Sequence, residues 1–227
     1  MKPWAWIVLA VVAAGALLIT FAREDPMNRS DPLELRSEEK ALLLRLARDT
    51  LTAHLSGTAL PEVDETQRTP ALLVQAACFV TLNRHGALRG CILDSFEPHE
   101  PIYRNVMRNV VLAATGDPRF SPVRLEDVNS LDIEISVLGQ PYALTYEGPE
   151  DLAATLRPGI DGVILTTTYG SSTYLPQVWE QLPEPETFLT ELCRKHGAPG
   201  DCWRGDDLVR VDVYQVCHFS ETDPQED

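Results

Sequence analysis

Cations are what this sequence is short of: 19 lysines and arginines stand against 34 aspartates and glutamates, for a formal net charge of −15. Such a surface repels phosphate backbones, and no Lys/Arg-rich stripe with interleaved aromatics interrupts it. Nucleic acid is therefore excluded as a partner, and so is adhesion of the domain itself to anionic lipid headgroups. Signature loops are missing too. There is no GxGxxG, no P-loop and no GxSxG, and His99-Glu100 lacks the second histidine of HExxH. These absences remove nucleotide-cofactor dehydrogenases, P-loop NTPases, α/β-hydrolases and zincins, and no cofactor is expected. The five cysteines, Cys78, Cys91, Cys193, Cys202 and Cys217, include no CxxC pair. An odd count is not a disulfide scaffold and leaves at least one thiol free in a monomer. Cys193 and Cys202 have the means to pair if the domain is periplasmic. Cys193-x-x-His196 with Cys202 has ligand-like chemistry, but a fourth ligand at zinc-finger spacing is missing, so no metal site is expected.

One thing present in abundance is apolar length near the start. From Trp4 to Ala22 the chain carries no charge, which matches one helical crossing of a hydrocarbon core of roughly 20 residues. A cleaved signal peptide competes with that reading, but it wants a shorter apolar region and a small-residue cleavage site, of which Thr20-Phe21-Ala22 is a poor version. Residues 1–22 are thus expected to be a single-pass transmembrane anchor, with membrane contact through residues 4–22. Lys2 precedes the span, and Arg23 after it is followed at once by Glu24 and Asp25. The cation bias places the amino terminus in the cytoplasm and the domain outside.

Residues 23–36 combine charges with two Asp-Pro steps and no apolar period, which reads as a tether. The domain proper is expected over 37–217, with an acidic tail over 218–227. Ser37 suits an N-cap, Leu43, Leu46, Thr50 and Leu51 recur at helical spacing, and Gly57 ends that helix. The run 76–93 is a hairpin signal around His85-Gly86. Pro101 opens a helix whose Ile102, Val106, Val110 and Ala113 share a face, and Leu131, Ile133, Ile135 and Val137 alternate in a strand. A short helix near 150–156, strands at 161–168 and 172–175, a helix at 185–196 and a strand at 207–217 follow. Hairpins mixed with helices argue an α+β fold with a mixed or antiparallel sheet and flanking helices.

Candidate chemistry gathers in "HGALRGCILD", residues 85–94. Residues two apart in a strand share a face, so Arg89 and Cys91 point the same way, and a guanidinium beside a thiol favours thiolate. Gly90 between them lets a ligand or another backbone come close. Cys91 taken alone also suits a small buried hydrophobe. A second cluster is Asp117-Pro118-Arg119-Phe120, a turn able to present a cation beside a ring. Glu134 and Ser136 share the face opposite the apolar stripe of their strand, which is either solvent or able to meet Arg89.

Together "CFVTLNRHGALRGCI", "DPRFSPVRLEDVNSLDIEISVLGQP", "GIDGVILTTTYGSSTYLPQVWEQLPEPETFLTELCRKHGAP" and "VRVDVYQV" resemble the AMMECR domain, whose prokaryotic members are called AmmeMemoRadiSam system protein A. The resemblance implies an α+β fold of two subdomains with a cleft between them and the LRGCI segment nearby. It implies Memo-like and radical SAM proteins as partners, and names no established reaction. Its third motif falls on Leu175, Pro176, Gln177, Val178 and Trp179, which brings Gln177 and Trp179 in as ligand-binding candidates. Two departures stand out: Leu93 replaces the glycine usual after LRGCI, and an anchor is unusual for the family. Two readings follow. Either Cys91 is the nucleophile of an enzyme or enzyme subunit, with Arg89 activating it or holding an anionic substrate, or the cleft is a non-catalytic binding or adaptor module in which Cys91 only packs.

Overall fold

The computed structural model describes residues 32–223. The anchor expected over 1–22 and most of the tether lie outside the described residues. No helix among the described residues is long and apolar enough to cross a membrane.

The fold is α+β, built on two four-stranded antiparallel sheets. The first has the order β2-β1-β3-β8, from β1 (Cys78–Arg84), β2 (Ala87–Ile92), β3 (Leu131–Leu138) and β8 (Val216–Ser220). Alternation fixes its faces. Leu131, Ile133, Ile135 and Val137 are all buried, as the sequence pattern requires, beneath α1 (Ser37–Ser56) and α3 (Ile102–Thr115), with the short α2 (Pro70–Leu73) between those helices in the chain. Those helices contribute Leu43, Leu51, Ile102, Val106 and Val110 to the same core. Fully burying each of these side chains is worth about 1.5–3 kcal/mol, so the helical layer cannot slide without losing several at once. The opposite face of the sheet carries Thr81, Cys91, Glu134, Ser136 and His218, and it is this face that meets the second subdomain.

The second sheet has the order β4-β7-β5-β6, from β4 (Tyr142–Ala143), β5 (Gly162–Thr167), β6 (Gly170–Tyr174) and β7 (Leu208–Tyr214). α4 (Pro149–Thr155) and α5 (Pro185–Lys195) pack on it over a core of Leu152, Leu165, Trp179, Phe188, Leu192 and Trp203. A disulfide joins Cys193 in α5 to Cys202 in the turn that follows. It takes both thiols out of any ligand set with His196.

Local chemistry accounts for the differences from the sequence reading. Arg36, not Ser37, is the N-cap of α1: its backbone N–H donates to Glu39 Oε2 at 2.9 Å and its guanidinium to Oε1 at 3.0 Å. Gly57 does end that helix, in the left-handed region at φ 68°. The hairpin turn is where expected, with His85 at φ 52° and Gly86 at φ 76°, the pairing of positive φ values that a two-residue hairpin requires. Pro101 caps α3 rather than opening it. The single strand expected over 207–217 is two strands in different sheets, β7 and β8, separated by Gln215 alone. β8 continues to Ser220, and Glu221 beyond it pairs with Arg48 of α1. The folded region therefore runs past residue 217, into what the sequence reads as tail.

Candidate functional site in the inter-subdomain cleft

Register places the thiol. Thr81 of β1 pairs with Cys91, and Leu82 with Gly90, but Asn83 then pairs with Leu88, so Arg89 is the extra residue of a bulge. A bulge bends the strand and re-aims the extra side chain. Arg89 accordingly swings away from the thiol: its Nη2 donates to the Ser121 carbonyl at 2.6 Å and its Cζ lies 5.8 Å from the Phe120 ring centroid. Its Nη1 is buried without a hydrogen-bond partner. The expected activation of Cys91 by Arg89 is thereby overturned. Arg89 does not meet Glu134 either, whose Oε1 accepts from Asn83 Nδ2 at 2.6 Å.

Gly90 owes its identity to another backbone. A Cβ at this position would sit 2.1 Å from the Ala113 carbonyl oxygen of α3, so the glycine lets helix and strand touch and faces away from the cleft.

Asp117 ties the second motif to the first. It is 5% exposed. Its Oδ2 accepts the Cys91 backbone N–H at 2.9 Å, and its Oδ1 accepts the Arg119 backbone N–H at 3.1 Å. The Arg119 guanidinium adds a fork, Nε to Oδ1 at 3.0 Å and Nη2 to Oδ2 at 2.7 Å. Bonding to Arg119 holds the Asp117 carboxyl far below the usual carboxylate range, against the opposing pull of burial. Arg119 thus fills the place the sequence reading gave to Arg89. Its Nη2 reaches the Cys91 carbonyl at 3.4 Å, and its Cζ lies 5.4 Å from the same Phe120 ring.

Burial pushes the Cys91 thiol above its ordinary pKa. The Thr81 hydroxyl, donating to Sγ at 3.3 Å, and the charges of Arg119 and Lys195 pull it back only in part, and Asp117 opposes them. Lys195 comes from the other subdomain, at the last turn of α5. Its Nζ donates to the Thr173 carbonyl at 2.7 Å and lies 4.6 Å from the Tyr174 ring centroid. The residue as a whole is exposed. Partial burial lowers its pKa, and Cys91 partly counters that shift. Tyr214 of β7 is wholly buried; its hydroxyl shares a hydrogen bond with Thr173 Oγ1 at 2.9 Å and donates to the Tyr174 carbonyl at 3.2 Å. Its phenol is raised by burial and also feels Cys91. Phe96 bridges the subdomains, edge-on to Phe79 at 6.4 Å and to Tyr214 at 6.1 Å.

Along the same interface Gln177 Nε2 donates to Ser136 Oγ at 3.1 Å, and that oxygen lies 3.2 Å from His218 Nδ1. Gln177 and His218 line a cavity of about 320 Å³. Trp179 is elsewhere: it is buried in the second core, stacked on Phe188 at 3.7 Å, with Nε1 donating to the Asp161 carbonyl at 2.7 Å. The fold therefore joins Arg89, Cys91, Asp117 and Arg119 into one cluster and Ser136 with Gln177 into a neighbouring one. Glu134 sits two strands from Cys91, and Gly90 and Trp179 face cores. Thr81, Lys195, Tyr214, Phe96 and His218 escaped the sequence reading. A signal existed for one of them, because lysine occurs only at positions 2, 40 and 195, and a residue so rare on an acidic surface invites a question.

The AMMECR1 family model matches residues 44–219. A protein of Methanothermobacter thermautotrophicus is 36% identical over 195 residues, covering 82% of this chain and 96% of its own length. One of Pyrococcus furiosus is 36% identical over 203 residues, covering 84% and 92%. Among solved structures, the crystal structure of an uncharacterized protein from Pyrococcus horikoshii aligns with a TM-score of 0.76 at 34% identity, over 83% of this chain and 94% of that one.

Proposed function

This chain belongs to the AMMECR1 family, and we propose that its cleft is a thiol-centred site that takes a small anionic electrophile. One observation carries the reading: Cys91 of one subdomain, its Sγ bonded by Thr81 and its carbonyl reached by Arg119, shares its surroundings with Lys195 of the other subdomain. Burial raises the thiol and lowers the amine, which favours the uncharged form of each, while the two groups partly counter each other's shift. When substrate docks, the Cys91 proton passes to the Lys195 amine and the sulfur electron pair attacks a carbonyl carbon, whose C=O π pair moves onto oxygen to give a tetrahedral thiohemiacetal oxyanion. Arg119 and the new Lys195 ammonium then face the substrate's negative charge. Gln177, held by its bond to Ser136, lines the neighbouring cavity with His218 and extends the ligand surface. The resemblance to proteins that work beside Memo-like and radical SAM partners supports an enzyme subunit over a solitary catalyst.

Iodoacetamide labelling against pH, read by mass spectrometry at each cysteine, tests this. Cys91 should label in the folded protein ahead of Cys78, and Lys195→Met should move its profile to higher pH. The binding-module alternative draws on the burial that holds the thiol protonated; it replaces the enzymatic reading if Cys91 labels only in denaturant.

The domain's placement is a companion proposal: residues 4–22 anchor the chain and the domain lies outside the cytoplasm. The Cys193–Cys202 disulfide supports this, since such bonds persist in oxidising compartments. An alkaline phosphatase fused after Asp227 should be active, and a fluorescent green-protein fusion there with a dead phosphatase would reverse the topology.

A further inference from the structure

Far from the cleft, α3 and the loop after α1 form an open groove of about 650 Å³. Its floor is one face of α3, where Tyr103, Met107 and Val111 succeed one another at helical spacing, and Leu60, Pro61 and Val63 form the wall. Leu60 at the rim is 50% exposed. The volume falls within the range of small-molecule sites, about 300–1,000 Å³.

What distinguishes the groove on so acidic a protein is its charge. Arg68, Arg104 and Arg108 line it against one carboxylate, Glu62. Arg108 is engaged by Asp94 and Glu100, yet its Nε is buried without a hydrogen-bond partner. Arg68 spends only Nε, on the Val63 carbonyl at 3.0 Å, and Arg104 spends Nε on the Tyr103 hydroxyl at 3.0 Å. Among the described residues neither of these two guanidiniums forms an ion pair, so their terminal N–H groups remain available. Planar guanidinium forks match carboxylates, and an apolar floor beneath them matches an alkyl chain.

We propose that this groove binds a free long-chain carboxylate, the chain along α3 and the head between Arg68 and Arg104. A bilayer phospholipid is disfavoured as the occupant, because a domain of this net charge is repelled by an anionic membrane, whereas a single detached anion meets only the local arginines.

The test uses the full chain in phosphatidylcholine nanodiscs, photolabelled with hexadecanoic acid bearing a diazirine and, separately, with the matching alcohol. Adducts of the acid should map to the 58–68 loop and α3 and be displaced by excess hexadecanoate. Arg68→Glu combined with Arg104→Glu should cut that labelling by about tenfold or more. The milder Arg104→Gln serves if the double variant loses its circular dichroism. Equal labelling by the alcohol, or labelling indifferent to these substitutions, overturns the proposal. So does displacement by an amphipathic leucine-glutamate peptide but not by hexadecanoate, which would make the groove a peptide-docking surface.

Discussion

Asparagine at position 117 keeps the shape of the aspartate and removes its charge, which isolates what the carboxylate contributes. The side chain of Asp117 is 2% exposed while that of Arg119 is 54% exposed. The ion pair itself must therefore be discounted for solvent screening, to under about 1 kcal/mol. The larger loss comes from the backbone donors of Cys91 and Arg119, which bond different oxygens of the carboxylate: the amide offers one acceptor oxygen, so one N–H keeps a neutral partner and the other faces the NH2 and is left unpaired, at about 1–2 kcal/mol. The sum for Asp117→Asn is about 2–3 kcal/mol, measured as a lower midpoint in urea with an unchanged slope. Its pH dependence has a definite sign. The folded carboxyl is depressed, so its stabilisation is fully present above the unfolded value of about 3.9 and fades as pH falls through and below it. The gap between wild type and variant should be constant near neutrality and narrow below about pH 4. The variant should also alkylate Cys91 at lower pH, because a charge that raises the thiol is gone while Arg119, which lowers it, remains. A variant as stable as wild type, or a gap that persists unchanged into acid, would refute this account of the turn.

Gly90→Ala should cost about 3 kcal/mol or more in thermal or urea unfolding, since neither the Ala113 carbonyl nor the strand backbone can yield cheaply to a Cβ 2.1 Å away; wild-type stability would mean the strand and α3 separate easily. Reducing the Cys193–Cys202 disulfide, which closes a sequence separation of 9, should lower stability by about 2–3 kcal/mol on the chain-entropy model. The same treatment should leave the Cys91 labelling profile in place, and a change there would show that α5 and Lys195 move when the bond opens.

Elements whose pattern is local were legible in the sequence. Leu131, Ile133, Ile135 and Val137 announce their strand because period-two alternation needs no knowledge of the partner, and His85-Gly86 announces its turn by backbone chemistry. Arg89 misled because a bulge is a property of two strands together: nothing in "LRGCI" says that Asn83 will skip a residue. The split of 207–217 was hidden because apolar side chains recur on both sides of Gln215, Val211 and Val213 in one core and Cys217 packed against the other. Of the site, the thiol and the Asp117-Arg119 turn were visible as motifs. Lys195, Tyr214 and His218 lie far along the chain, and only the packing of one sheet against the other brings them to the cleft.

The first sheet recruits its last strand from the end of the chain, with β8 lying against β3. During synthesis the amino-terminal layer therefore emerges with β3 as a bare edge, its N–H and C=O groups unpaired and ready to template another chain. That edge closes only after the whole second subdomain has been made, so neither half is a finished folding unit. Such non-local closure is slow, and a chain truncated within β8 is expected to aggregate rather than leave a working amino-terminal half.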